Sequence, residues 1–388
     1  MKFVRVLLLL SLALPGAAAS MTRAVDPLPP GVAPAAQAPI ALLFDLSSGQ
    51  TLYNRGGTEA FLPASMTKAM TALVVFDLIK AGKLREDTLI TVRPKTAVRW
   101  AGKGTTLNLR GGEQVSVREL LMGTMVVSAN DASVVLAEAA VGSTDAFVAA
   151  MNARAKALGM NDSHFGTPNG FPDRAVTAVT ASDLVRLANA LITEHPELYR
   201  RYIGKQSMVW RGERMDSHDP FAGLLAGADG IKTGHTNEAG FNFLGTVTRG
   251  GRRLVVVIGR SPTETDRTAA AKGLIEWGYS AFDSTPFLWQ DWIVGSVKVQ
   301  NGEAREVAVE VPQGYMIAVP EGMGYKVTAR IVYDGPVRAP IAAGAPVARL
   351  VVTGTGLPDH SIPLVATKAV SKAGPIDRLV NALLGLLR

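Results

Sequence analysis

The apolar pattern of this chain changes period along its length, and that change limits the folds open to it. Strand-like runs stand at both ends of residues 40–285 and helical spacing fills the middle, with hairpins at 40–54 and 240–258 and helical patterns from 65 and at 117–142, 144–158, 181–191 and 274–282. Such an order brings the outer strands into one sheet. It predicts an α+β fold, an antiparallel sheet flanked by helices with an inserted helical lobe.

From about Pro286 the pattern becomes a series of short Val-rich runs separated by Gly or Pro. The runs are 297–299, 304–311, 315–319, 325–333, 346–352 and 361–365. Regularly spaced short strands of this kind are typical of small all-β domains. We therefore predict a first domain at 40–285 and a small β-sandwich at 286–368.

The N-terminus has the pattern of an export signal. Lys2 and Arg5 precede the apolar run 6–14, and Pro15 leads into a small-residue A-x-A cleavage pattern. We expect residues 1–19 to be a signal peptide cut after Ala19. Residues 20–39, rich in Pro and Ala, are expected to form a flexible lead-in.

The C-terminal residues 369–388 differ from both domains. From Ile376 to Leu387 the apolar residues follow i, i+3, i+4, i+7 spacing, which gives one apolar stripe on a helix. The stretch is too short to cross a bilayer, so it can lie in the interface or dock on the β-domain. We favour the interface, and thus an exported, periplasmic protein attached peripherally to the inner (cytoplasmic) membrane.

Composition excludes several chemistries. The chain of 388 residues has no cysteine, which removes disulfides, thiol nucleophiles and thiolate metal sites. Its net charge of +7 favours anionic partners, but the basic residues are scattered and form no nucleic-acid motif. Neither metal-ligand spacing nor a phosphate-binding loop is recognisable, so we expect no metal, no cofactor and no nucleic acid.

Three short motifs together indicate an active site. Ser65 and Lys68 form S-x-x-K at a helix start, where the serine taken alone would be an ordinary N-cap. Ser128 and Asn130 form S-x-N at a break between helices, and Lys232-Thr233-Gly234 begins a strand pattern. Each motif has a structural explanation by itself. Their order in one exported chain is the signature of serine β-lactamases and penicillin-binding proteins.

The chain resembles the low-molecular-mass penicillin-binding proteins, the D-alanyl-D-alanine carboxypeptidases, over nearly its whole length. The stretches that carry the likeness are PASMTKAMT, SANDAS, GIKTGHTNEAGFN and IEWGY. The resemblance implies a serine hydrolase that removes the terminal D-alanine from peptidoglycan stem pentapeptides through an acyl-enzyme on Ser65. It also implies acylation by β-lactam antibiotics.

Residue chemistry and resemblance assign the first roles. Ser65 is the expected nucleophile and Lys68, on the same helical face, its base. Lys68 must be neutral for this, and burial together with the cation of Lys232 should depress its pKa. Ser128 would relay the proton to the leaving amine, and Asn130 would hold the substrate amide and orient Lys68.

The remaining roles concern the substrate carboxylate and the oxyanion. By resemblance, the backbone N–H groups of Ser65 and His235 form the oxyanion hole, and His235 is expected to line the site without acting as a base. Lys232, Thr233 and Gly234 would meet the terminal carboxylate of the peptide. Our candidate for a second cation there is Arg267.

Two departures from the family pattern bear on the alternatives. Ala129 stands where relatives commonly have Gly, and Asn169-Gly170-Phe171 replaces the His-Gly-Leu often seen in relatives. A β-lactamase is disfavoured because the expected downstream glutamate motif is missing. A D,D-endopeptidase of peptidoglycan cross-links and a non-catalytic penicillin- or murein-binding protein remain as alternatives, and the sequence leaves the oligomeric state open.

Overall fold

The computed structural model describes residues 38–174, 176–320, 327–354 and 357–374. These residues divide into two compact units, the first formed mainly by the chain up to Tyr279 and the second mainly by the chain from Ser280. The predicted signal peptide and nearly all of the predicted lead-in lie outside the described residues. The same holds for 375–388, which contain the apolar stripe of the predicted C-terminal helix.

The first unit contains helices and an antiparallel sheet. Its helices are α1 (Lys68–Lys80), α2 (Pro94–Trp100), α3 (Val117–Met125), α4 (Asn130–Val141), α5 (Thr144–Ala157), α6 (Ala181–Glu194), α7 (Pro196–Tyr202) and α8 (Glu264–Ser280). Its strands are β1 (Ile40–Asp45), β2 (Gln50–Arg55), β3 (Leu89–Thr91), β4 (Gln114–Ser116), β5 (Ser207–Trp210), β6 (Glu213–Asp216), β7 (Ala228–Thr236), β8 (Gly240–Arg249) and β9 (Arg252–Ser261).

The main sheet of the first unit joins the two ends of its sequence. Its order is β2-β1-β9-β8-β7, with β1 antiparallel to β9, β9 to β8 and β8 to β7. The helices from α1 to α7 are inserted between β2 and β7 in the chain. This arrangement confirms the predicted α+β fold with an inserted helical region. It also leaves β7 at an edge of the sheet, where no strand of the described ranges pairs with its outer side.

Helix α1 forms the centre of the first unit. Every residue from Lys68 to Phe76 is buried, so this segment lacks the polar face of a surface helix. Its apolar side chains belong to one core with those of α3, α4, α6 and the sheet. A side chain at the N-terminus of α1 is consequently held in the interior, which matters for Lys68.

The ends of the surrounding helices follow local capping rules. Ser116 and Glu119 form a capping box at the start of α3, and Ser143 and Thr180 cap α5 and α6 with their hydroxyls. The predicted interruption of the helical pattern at 128–131 is confirmed, since α3 ends at Met125 and α4 begins at Asn130.

The second unit is built from β-strands, as predicted, and has a sandwich-like core. Its strands are β10 (Phe282–Leu288), β11 (Ile293–Gln300), β12 (Glu306–Glu310), β13 (Tyr315–Pro320), β14 (Val327–Val332), β15 (Val337–Arg338), β16 (Pro346–Gly354) and β17 (Leu357–Ala366). Within the described ranges they form a sheet of order β14-β16-β17-β12-β11-β15 and a β10-β13 pair. Apolar side chains from both contribute to one core.

Two boundaries differ from the expectations. The helical pattern at 274–282 ends at Ser280, and Phe282 begins β10, because its partner Pro320 comes from a later part of the chain. Val370 and Lys372 form β-bridges with Ile341 and Gly302, so the chain there is extended rather than helical. A tail helix can therefore begin only beyond this bridged segment.

None of the single helices in the described ranges combines the length and apolarity needed to cross a bilayer. The consecutive helices α4 and α5 pass that test only when joined, and they meet at 86°.

Candidate active site

Ser65 lies in a short 3₁₀ helix, Ala64–Thr67, that leads directly into α1. Neither this turn nor α1 has a side-chain cap, so the N-cap interpretation of Ser65 is wrong. Its Oγ instead lies 2.7 Å from the Nζ of Lys68. The spacing of three residues places both groups on one face of the turn, as the motif predicts.

Lys68 is fully buried and its amine has three oxygen neighbours. Besides the Ser65 hydroxyl these are Asn130 Oδ1 at 2.8 Å and the backbone carbonyl of Asn169, also at 2.8 Å. Burial lowers the pKa of Lys68 well below its usual value, and the Lys232 cation lowers it further, against an opposing effect of Asp131. A neutral amine has two N–H donors and one lone pair. The donors suit Asn130 Oδ1 and the Asn169 carbonyl, and the lone pair suits the Ser65 hydroxyl as a donor.

The connection between α3 and α4 presents Ser128 and Asn130 to the same place. Ser128 has φ 65°, whereas Ala129 has φ −62°. The alanine at the position of the family glycine is therefore unstrained. Asn130 uses both ends of its amide, since Nδ2 donates to the carbonyl of Lys103 at 2.8 Å while Oδ1 faces Lys68.

Strand β7 brings the third motif against the serine turn. A Cβ on Gly234 would lie 2.2 Å from the carbonyl of Pro63 and 3.2 Å from the amide nitrogen of Ser65. Only glycine permits this approach. The next residue, His235, stacks its ring on Phe241 with centroids 3.9 Å apart.

Lys232 and Arg267 supply the positive charge of the site. Lys232 is buried, its Nζ donates to the carbonyl of Thr233 at 3.2 Å, and burial lowers its pKa to about 7. Asp219 raises this pKa and Arg267 lowers it. Arg267, in the first turn of α8, is buried, and its Nη2 donates to Glu264 Oε1 at 2.9 Å.

A cavity of about 870 Å³ connects these groups. Its wall includes most of the predicted site residues, namely Ser65, Ser128, Asn130, Thr233, Gly234, His235 and Arg267. Lys68 and Lys232 are buried beside it. Ser128 is not among the hydrogen-bond acceptors of either lysine in the described ranges, so the expected proton relay stays a prediction.

Four groups of the site were not assigned roles from the sequence. The carbonyl of Asn169 contacts Lys68, and His218, Asp219 and Glu264 line the cavity. Asn169 could have been noticed, because it belongs to the segment that departs from the family pattern. The residues 217–219 carry no motif, and only the fold brings them to the site.

A separate cluster could be mistaken for a metal site. The ligand atoms of Asp77, Glu194 and His195 lie within 4.8 Å of one another. The guanidinium of Arg154, however, contacts both carboxylates, with Nε 2.8 Å from Asp77. A cation is thus already present between the two acids, and we interpret the cluster as an ion-pair network.

The site defines a class of protein. A serine hydroxyl in contact with a buried lysine of depressed pKa, beside a cavity with two further cations, is the arrangement of a serine acyl-transfer enzyme that uses lysine as its base.

Comparisons with known proteins identify the family. The peptidase S11 family, D-alanyl-D-alanine carboxypeptidase, matches residues 29–262, and the C-terminal domain of penicillin-binding protein 5 matches 282–372. D-alanyl-D-alanine carboxypeptidase DacD of Salmonella typhimurium is 33% identical over 357 residues, which cover 89% of this chain and 90% of that protein. The chain belongs to the D-alanyl-D-alanine carboxypeptidase family.

Solved structures agree with this membership. Penicillin-binding protein 5 from Haemophilus influenzae superposes with a TM-score of 0.75 at 28% identity, over 87% of this chain and 98% of that one. Penicillin-binding protein D2 from Listeria monocytogenes, in its ampicillin-bound form, gives a TM-score of 0.57 at 29% identity. The match covers 63% of this chain and 98% of the Listeria monocytogenes chain.

Proposed function

We propose that this protein is a serine-type D-alanyl-D-alanine carboxypeptidase that hydrolyses the terminal D-alanine from peptidoglycan stem pentapeptides. The observation that carries the proposal is the contact of the buried Lys68 amine with Ser65 Oγ at 2.7 Å. It places a base of depressed pKa directly on the nucleophile. Family membership supplies the substrate class.

Acylation begins with the transfer of the Ser65 proton to Lys68. The oxygen attacks the carbonyl carbon of the penultimate D-alanine, and the oxyanion that forms is stabilised by backbone N–H groups of Ser65 and His235. The close approach of β7 at Gly234 supports this pairing, because it brings the strand backbone to the serine turn. Lys232, Thr233 and Arg267 hold the terminal carboxylate.

The tetrahedral intermediate then collapses and the C–N bond breaks. The leaving amine takes a proton that returns from Lys68 through Ser128, so D-alanine departs as a neutral amine. The remaining ester on Ser65 is hydrolysed when water gives a proton to Lys68 and attacks the acyl carbon. The bond from that carbon to Ser65 Oγ then breaks, and Lys68 returns the proton to the serine oxygen. Asn130 orients Lys68 throughout, since its Oδ1 accepts from Nζ at 2.8 Å.

The alternatives are less well supported. A non-catalytic binding protein would not need the Lys68 amine on the serine hydroxyl. The hydrolysis of cross-links uses the same groups, and the walls of the cavity decide how much of it occurs. A β-lactamase of the kind that activates water with a glutamate is disfavoured, because no carboxylate in the described ranges forms a hydrogen bond or ion pair with Ser65 or Lys68.

Acylation by β-lactams follows from the same geometry. The amide of a β-lactam ring offers a carbonyl carbon to Ser65, and its carboxylate suits Lys232 and Arg267. The ampicillin-bound relative from Listeria monocytogenes supports this part of the proposal. The leaving nitrogen stays tethered in the ring product, so the ester is expected to be long-lived.

For its location, we propose export to the periplasm and peripheral attachment to the inner membrane. The support is the signal pattern of residues 1–19 and the apolar stripe of 376–387. Deletion of residues 375–388 should release the protein from membrane fractions. Unchanged partitioning of the truncated protein would contradict the anchor.

The activity is tested by incubating the protein with a pentapeptide ending in D-Ala-D-Ala and measuring free D-alanine. Ser65→Ala should abolish both release and labelling by a fluorescent penicillin. Ser296→Ala, the same change at an exposed serine of the second unit, should leave both intact. No release by the unaltered protein, or full release by Ser65→Ala, would refute the proposal.

A further inference from the structure

The guanidinium of Arg267 already has a carboxylate partner in the cavity. Glu264, one helical turn earlier on α8, accepts from Arg267 Nη2 at 2.9 Å. Both residues line the same cavity as Ser65. A substrate carboxylate that binds Arg267 must therefore compete with the carboxylate of Glu264.

The two partners differ in exposure. The side chain of Arg267 is 4% exposed and that of Glu264 is 67% exposed. The arginine is thus fixed inside the wall, whereas the glutamate stands at the solvent side and can rotate away. Arg267 Nε is also buried, and none of the described residues accepts a hydrogen bond from it, so it remains a donor that the glutamate does not use.

The other charges of the cavity indicate what Arg267 can bind. Lys232 is the neighbouring cation, and Asp219 is an acidic group near both, with its carboxylate accepting from the backbone N–H of Phe221 at 2.9 Å. Asp219 is held in its turn by this bond. Of the two acids, only Glu264 combines a direct contact to a substrate-binding cation with an exposed side chain.

We infer that Glu264 is a specificity-determining residue that competes with the terminal carboxylate of the substrate for Arg267. The inference rests on the proposed function and concerns the same site. The substrate carboxylate displaces Glu264 on binding, and the glutamate returns when D-alanine leaves. Glu264 thereby weakens the binding of carboxylate-bearing substrates and favours the release of D-alanine.

The consequence is a selective change in affinity when the glutamate is neutralised. An ion pair in which one partner is largely exposed to solvent contributes little, so loss of Glu264 as a competitor should lower KM for a D-Ala-D-Ala peptide by about two- to fivefold. Acylation of Ser65 by a donor without a terminal carboxylate should be unaffected, because such a donor has no need of Arg267.

The test compares Glu264→Gln with the unaltered full-length protein on two acyl donors with the same acyl part. One is a tripeptide ending in D-Ala-D-Ala, and the other replaces the terminal D-alanine by a methyl thioester. Asp266→Asn is the matched control, because it removes the same charge from the same helical turn while its carboxylate contacts Thr263. We expect Glu264→Gln to have a lower KM for the peptide and an unchanged KM for the thioester. Asp266→Asn should change neither.

Other outcomes overturn the inference. An unchanged or raised peptide KM in Glu264→Gln would refute it. Equal changes with both donors, or the same change in Asp266→Asn, would refute it as well, since these indicate a general charge effect. Absence of D-alanine release by the unaltered protein would instead refute the proposed function, so the two failures are distinguishable.

Discussion

Asp219 offers a quantitative test of how the cavity keeps Lys232 charged. Burial lowers the pKa of Lys232 to about 7, and Asp219 is the neighbour that opposes this fall. Burial also raises the pKa of Asp219 from its ordinary value, while Lys232 and Arg267 work against that rise. Asp219→Asn removes the opposing charge and keeps the shape of the side chain.

The expected shift follows from the size of a single charge interaction. A neighbouring opposite charge moves a pKa by about one unit or more, which corresponds to about 1.4 kcal/mol per unit. With a pKa of about 7, roughly half of Lys232 is protonated at pH 7 in the unaltered protein. A fall of about one unit leaves about a tenth protonated at pH 7.

The direction of the pH effect follows from which protonation state of Lys232 binds the substrate. Protonated Lys232 attracts the substrate carboxylate, so activity that depends on it is present at low pH and lost as pH rises through the pKa. In Asp219→Asn this loss should occur about one pH unit lower, with kcat/KM at pH 7 reduced about fivefold. Lys68, Arg267 and His218 also face Lys232 or its cavity, and the substitution leaves them in place.

The assay is the pH profile of kcat/KM for D-alanine release, which reports groups of the free enzyme. The methyl thioester donor serves as the control, because it has no carboxylate for Lys232 to bind. If the pH profile of Asp219→Asn is unshifted, or is shifted to higher pH, Asp219 does not raise the pKa of Lys232 as we infer. An equal shift with the thioester would assign the effect to Lys68 instead.

Two substitutions test how the fold supports the site. Gly170→Ala should nearly abolish acylation of Ser65 by fluorescent penicillin, since a Cβ there would lie 1.9 Å from the carbonyl of Ala64 and push the serine turn out of place. Asp45→Ala should lower the free energy of unfolding, measured by urea denaturation, by about 3–5 kcal/mol, because it removes the buried carboxylate that Arg252 Nε contacts at 2.7 Å. Normal labelling in the first variant, or a loss below about 1 kcal/mol in the second, would contradict these readings.

Matched controls exist for both. Gly82 has a φ of 68° similar to that of Gly170, yet a Cβ there meets nothing within 4 Å, so Gly82→Ala should cost stability without loss of labelling. Asp87 pairs with Arg85 on the surface, and Asp87→Ala should leave the urea midpoint of unfolding nearly unchanged.

The sequence by itself determined the elements and most of the site chemistry. Helical spacing, capping residues and hairpin turns are local signals, so the α+β fold, the break before Asn130 and the all-β second domain were predictable. Ser65 and Lys68 were identified because a serine–lysine mechanism requires the two residues at short spacing, and Lys232 because its K-T-G motif follows the other two motifs in the expected order.

Tertiary structure decided what depends on residues distant in the chain. The contact between Ser65 and Lys68 was predictable from their spacing, but packing of α1 in the centre of the unit decided the full burial of Lys68, which lowers its pKa. The carbonyl of Asn169 reaches Lys68 from 101 positions away. Asp219 and Glu264 belong to no motif. Their charges act on Lys232 and Arg267 because the fold brings them close in space, and the order of residues along the chain does not show that proximity.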